Sequence, residues 1–107
     1  MGIQGWRDYH LSARVNGTVI QAAGSTDGLY TIDLRILQLH VGDQAVVLPE
    51  HLVFIRIEVF PFVRGGAPLP VHAYDKVCIS GKLMWDADGF LEIHPKNSKD
   101  ILRRSCP

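Results

Sequence analysis

From residue 9 to 22, apolar and polar positions alternate with a period of two. Leu11, Ala13, Val15, Gly17 and Val19 share one side, and His10, Ser12, Arg14, Asn16 and Thr18 the other. The pattern loosens at Gly17 and changes phase at Ile20. An interior glycine of this kind marks a bulge or bend, which lets one long strand serve two parts of a curved sheet. A second alternating run, 29–41, puts Tyr30, Ile32, Leu34 and Ile36 on one side, with Thr31, Asp33 and Arg35 opposite. Its apolar phase then passes to Leu37, Leu39 and Val41, which predicts a bulge near Ile36. A third run, 52–63, turns Val53, Ile55, Ile57 and Val59 inward and Phe54, Arg56, Glu58, Phe60 and Phe62 outward. The fourth, 76–86, buries Val77, Ile79, Gly81, Leu83 and Trp85, and the fifth, 89–94, returns after an Asp88-Gly89 turn and stops at Pro95.

The connections fit this reading. Gly24 to Gly28 and Gly42-Asp43 carry turn chemistry, whereas Ala45 to Leu48 is either a short strand extension or a buried connection ending at Pro49. Arg64 to Pro70 is too rich in glycine and proline for a helix. In the tail, 95–107, Ser98 is a capping residue for the start of a short helix within 97–104.

Five strands, the first three long, with a bend in the first and a closing hairpin, predict an all-β domain: a small five-stranded closed barrel whose pairing removes exposed edges. Over roughly 9–95, strand number, strand length and bend positions make the chain resemble the OB-fold family. That resemblance implies a Greek-key barrel with a ligand face on strands two and three for oligonucleotides, oligosaccharides or protein partners. One departure stands out: the helix that commonly joins strands three and four in that family must here be reduced or absent.

At 107 residues the chain is long enough for one domain with its own core, and 47% hydrophobic with 21% charged residues excludes a disordered chain. Eleven basic and eleven acidic residues cancel, so any polyanion binding must come from a local patch. Cys78 and Cys106 lack zinc or redox spacing. They are expected to remain thiols in a reducing compartment, unless the tail folds back beside the hairpin. Residues 1–8 contain no apolar run of signal-peptide length, and no later run is long enough to span a bilayer. The expectation is a cytosolic or nuclear protein with no membrane contact, unless a targeting segment has been removed.

The candidate site lies on the outward side of strands two and three. Phe54, Phe60 and Phe62, with Tyr30 or Trp85 at the margin, form an aromatic surface, and Arg35, Arg56, Arg64 and Lys82 supply positive charge. Bases stack on such rings with little regard to sequence, so the expected ligand is single-stranded DNA or RNA. The alternative is a protein partner, or a second copy of the chain, seated on the Phe54/Phe60/Phe62 face, with Asp33, Arg35, Arg56 and Glu58 neutralising one another across strands. Of the remaining basic residues, Lys96, Lys99, Arg103 and Arg104 cluster after Leu91, and Lys76 opens the fourth strand.

Asp86, Asp88 and Glu92 lack the spacing of a calcium loop, and the five histidines, His10, His40, His51, His72 and His94, lack paired ligand spacing. Glu92 and His94 share one side of the last strand, but acid–base chemistry needs a cleft and a third orienting group. The sequence therefore carries no legible catalytic residue, metal ligand set or cofactor motif, and it reads as a noncatalytic binding module.

Overall fold

The computed structural model describes residues 11–24, 28–64, 71–85 and 91–107. The strands are β1 (Ser12–Gly24), β2 (Tyr30–Val41), β3 (Gln44–Ala45), β4 (Phe54–Val59), β5 (Lys76–Trp85), β6 (Leu91–His94) and β7 (Ile101–Leu102). A single helical turn, α1 (Pro61–Arg64), follows β4, and a 3-10 turn covers Ser98–Asp100. The pairing runs β1-β2-β4-β6-β5 and returns to β1, so five strands close into a barrel. β4 and β6 run parallel, and the other neighbours in this ring are antiparallel. The architecture is compatible with an OB-like barrel.

Period-two patterning fills the interior: Val15, Val19, Ile32, Leu34, Ile57, Val59, Val77, Ile79, Leu83 and Ile93 are fully buried. Burying each of these side chains contributes on the order of 1.5–3 kcal/mol. Gly17 lies where a Cβ would come within 2.8 Å of the Arg35 carbonyl oxygen, so the bend brings β1 and β2 closer than a side chain allows. Both expected irregularities of the first two strands are present. The β1–β2 register shifts between Asn16 and Gly17, leaving Leu37 as the extra residue of β2, and again between Val19 and Gln21, leaving Ile20 as the extra residue of β1.

Several boundaries differ from the sequence reading. The third strand spans Phe54–Val59 rather than 52–63, because Pro61 cannot continue the ladder and opens α1, the favoured place for proline in a helix. Phe62 therefore sits on a helical turn, and Val53, ahead of the strand, is exposed instead of inward. Leu37 also points to solvent, since the bulge removes it from both faces of the alternation. Val47 is exposed, so 45–48 is not a buried connection, and β3 is a two-residue extension beside β2. The Asp88-Gly89 turn lies outside the described residues.

In the tail, Asn97 rather than Ser98 is the cap: its side chain accepts from the Lys99 N–H, while the Asp100 carboxylate accepts from the Lys96 and Asn97 N–H groups. Only a 3-10 turn follows, and β7 then pairs with β5 (Cys78 opposite Leu102, Ile79 opposite Ile101). This return carries Cys106 to Cys78, and the two form a disulfide with Cα atoms 4.8 Å apart. The expectation of two thiols is thus corrected. Their separation of 28 residues gives no sequence signal, and it is the pairing of β7 with β5 that brings them together. Among the described residues, no helix is long and apolar enough to cross a membrane.

Candidate nucleic-acid interface

Register on the outer surface of β1, β2, β4 and β6 sorts the predicted residues into rows. In the first, Phe54 lies opposite Arg35, and Arg35 opposite Thr18. In the second, Arg56 lies between Asp33 on β2 and Glu92 on β6, with Gln21 beyond Asp33. In the third, Thr31 lies opposite Glu58, and continuing the parallel register one residue places His94 beside Glu58.

The aromatic set divides between the two ends of β4. Phe60 follows Phe54 by six positions, about 20 Å at strand spacing. Phe60 stands edge-on to His94 at 5.2 Å and stacks on Phe62 at 6.0 Å, with Phe62 76% exposed. Phe54, 55% exposed, belongs to a different group at the start of the strand. There the bulged Ile20 and Leu37 turn outward, and Tyr74 joins them from the turn before β5. Two shallow recesses of about 270 Å³ and 520 Å³ share Ile20 and Phe54 as lining; Arg56 borders the first, and Arg35, Tyr74 and Lys76 the second.

Tyr74 occupies the left-handed region with φ of 73° and is 86% exposed. A non-glycine residue there is strained, so its surroundings must hold it. They do so through the Tyr74 N–H donating to the Val19 carbonyl (2.7 Å), the Val19 N–H to the Asp75 carbonyl (2.9 Å), and the His72 N–H to the Asp75 carboxylate (2.9 Å). The turn thus displays the phenol beside Phe54 on a fixed backbone.

The predicted cations separate in the same way. Arg35 and Lys76 make no ion pair among the described residues, and the Lys76 ammonium donates to the Thr18 hydroxyl at 3.1 Å. Arg56 instead donates through Nε to Asp33 Oδ1 at 2.8 Å and through Nη2 to Oδ2 at 3.4 Å, while Gln21 donates to Oδ2 at 2.7 Å. Partial burial alone raises the Asp33 pKa, but the hydrogen bonds from Arg56 and Gln21 and the arginine charge outweigh it, and the net effect lowers the pKa from its ordinary value. The Asp33 hydrogen bond, against some desolvation and with help from the charges of Asp33, Glu92 and Glu58, raises the Arg56 pKa. Arg56 is thereby committed to the sheet surface. Lys82 is exposed on β5 opposite His94 and Ser12, away from Phe54, and Arg64 ends α1. Tyr30 is half-buried opposite Val59, and Trp85 ends β5 opposite Leu91.

Sequence reasoning missed Tyr74, because no periodicity reaches a residue in a turn. It assigned Ile20 and Leu37 only as phase changes, although a bulged apolar residue is the one signal that could have exposed them. It also missed that Glu58 reaches Glu92 and His94: His94 Nε2 lies 3.0 Å from Glu92 Oε1 and 3.3 Å from Glu58 Oε2. The chain matches no protein-family model, and a search of curated proteins finds no match to it.

Proposed function

We propose that this protein is a noncatalytic OB-type module that binds single-stranded nucleic acid at the Phe54 end of β4. The observation that carries the reading is the grouping of two exposed rings, Phe54 and Tyr74, with two cations that no described acid neutralises, Arg35 and Lys76. Stacking contributes about 1–3 kcal/mol per base, and the cations would meet the adjoining phosphates. The parallel β4–β6 pair and the ring order β1-β2-β4-β6-β5 support the OB-type assignment, and Phe54 and Arg35 lie on the strand pair that such barrels use for ligands, with Tyr74 beside them from the turn before β5. Zero net charge is compatible with this reading only because the positive charge is local.

The test is fluorescence anisotropy of a labelled poly-pyrimidine strand at low and moderate salt. Binding is expected to saturate and to weaken as salt rises, with a log–log slope of about −0.7 for each phosphate neutralised. Arg35→Ala and Lys76→Ala should each reduce that slope. A Phe54→Ala, Tyr74→Ala double variant should weaken binding by at least about tenfold, since two stacked bases are lost. No saturable binding at low salt would reject the proposal.

Ile20, Leu37 and Val53 favour a second reading, because their exposed aliphatic surface adjoins Phe54 and offers a base no π face. On that reading the patch seats a protein partner or a second copy of the chain. Self-association would show as a concentration-dependent mass in sedimentation equilibrium that Leu37→Glu abolishes; a monomer at every concentration would exclude the second copy.

A further inference from the structure

The second place where chemistry-bearing side chains converge is at the junction of β4 and β6, two residues along β4 from the Arg56–Asp33 pair. Glu58 contributes one carboxylate from β4, and Glu92 and His94 contribute a carboxylate and an imidazole from the same side of β6. The three ligand atoms lie within 4.8 Å of one another. Glu92 is 6% exposed, an unusual position for a carboxylate on the outside of a barrel.

The geometry centres on one nitrogen. Both carboxylate oxygens approach His94 Nε2, at 3.0 Å from Glu92 and 3.3 Å from Glu58. Nε2 carries at most one proton, and a single N–H directed at one oxygen is poorly aligned with the other. An unprotonated Nε2 and the two carboxylates could each give a lone pair to one cation instead. At a metal–ligand distance of about 2.1 Å, neighbouring ligand atoms are roughly 3.0 Å apart in octahedral and 3.4 Å apart in tetrahedral geometry. The two spacings at His94 fall in that interval.

We propose that Glu58, Glu92 and His94 form the protein share of a binding site for a divalent first-row transition-metal ion. One imidazole nitrogen with two carboxylate oxygens selects zinc or cobalt over magnesium and calcium, which take oxygen alone. Two carboxylates bring a charge of −2. Arg56, whose charge interacts with both carboxylates, is ion-paired to Asp33 at 2.8 Å, and Lys82, opposite His94 in the β5–β6 register, is exposed to solvent. Phe60, edge-on to the imidazole at 5.2 Å, fixes the ring orientation that directs Nε2 toward the carboxylates. Three protein ligands leave the remaining positions to water.

The test uses the full chain, without an affinity tag and treated with chelator, in calorimetric titration with zinc and cobalt chlorides and with magnesium and calcium as comparisons. One zinc or cobalt ion per chain is expected, with visible d–d absorption from bound cobalt and a thermal midpoint raised by several degrees. His94→Ala and the near-isosteric Glu58→Gln should each weaken zinc binding by at least about 100-fold, beyond the usual effect of losing a partner outside the ligand set. His72→Ala, on an exposed turn, should leave it unchanged. Absence of zinc binding by the unmodified chain, or binding that survives both His94→Ala and Glu58→Gln, would overturn the proposal. Tighter binding of magnesium or calcium than of zinc would overturn the choice of metal.

Discussion

Asp33, the one carboxylate on β2, is bonded by both Arg56 and Gln21, and its behaviour with pH follows from these partners. Arg56 and Gln21 hold its pKa below 3.8, so the folded state binds a proton there less readily than the unfolded chain does. The stabilisation is fully present above the unfolded value of about 3.9 and disappears as pH falls through the lower folded value. Thermal melts from pH 7 down to pH 2 should therefore lose stability more steeply in the unmodified chain than in Asp33→Asn; parallel curves would remove this role. Glycine contacts give a second residue-scale prediction. A Cβ on Gly81 would meet the His94 carbonyl oxygen at 2.5 Å and the Pro95 nitrogen at 2.8 Å, both backbone, whereas one on Gly24 meets only the Tyr30 ring at 3.5 Å. Gly81→Ala should cost about 1–3 kcal/mol in urea denaturation and Gly24→Ala far less, by the usual magnitude of overpacking. Equal effects would show that β6 yields at this crossing. Gly81 was legible in the sequence as an inward position of the fourth strand; that it admits the His94 carbonyl was not, since the approaching chain comes from 13 residues away.

Bulges and the returning tail decide what the elements present to solvent. The phase changes at Ile20 and Ile36 are visible in the sequence because inward positions must be apolar. What the alternation does not reveal is the fate of the extra residue, and both Ile20 and Leu37 finish outside, next to Phe54. The aromatic platform expected along one strand fails for a local reason. Pro61 ends β4, so Phe62 turns with α1 and Phe60 packs on His94 instead of aligning with Phe54. At the other end of the chain, β7 extends the β5 edge and the Cys78–Cys106 disulfide secures it, with the Cys106 N–H donating to Asn16 Oδ1 at 3.3 Å. Closing a loop of this length restrains the unfolded chain by about 3–4 kcal/mol in the loop-entropy account. A reductant, or Cys106→Ser, should lower the urea midpoint accordingly, and an unchanged midpoint would mean that β7 docks without the bridge. The paired cysteines also remove the argument for a reducing compartment that rested on two thiols, because disulfides persist where conditions are oxidising.

At the scale of the whole molecule, closure of β1 onto both β2 and β5 is what makes an outer surface of fixed shape. Hydrophobic periodicity reveals such a barrel because each strand must send alternate residues inward, and five alternating segments are enough to fill its interior. Periodicity does not reveal which outward residues become neighbours across strands, since that depends on register and on turns such as the one that displays Tyr74. Closure leaves two separate features on this surface: the Phe54–Tyr74 patch with Arg35 and Lys76, and the Glu58–Glu92–His94 group nearer the other end of β4. They make independent demands, since the first needs π faces and unpaired cations and the second needs lone pairs. The most direct measurement of the binding proposal is a ¹H–¹⁵N correlation spectrum of the protein titrated with an oligothymidylate at low salt. The amides of residues 18–20, 35–37, 54 and 74–76 should shift together and saturate, with the shifts around Phe60 and Phe62 small. A titration that leaves this group unmoved, or shifts only the Phe60–Phe62 end, would contradict it.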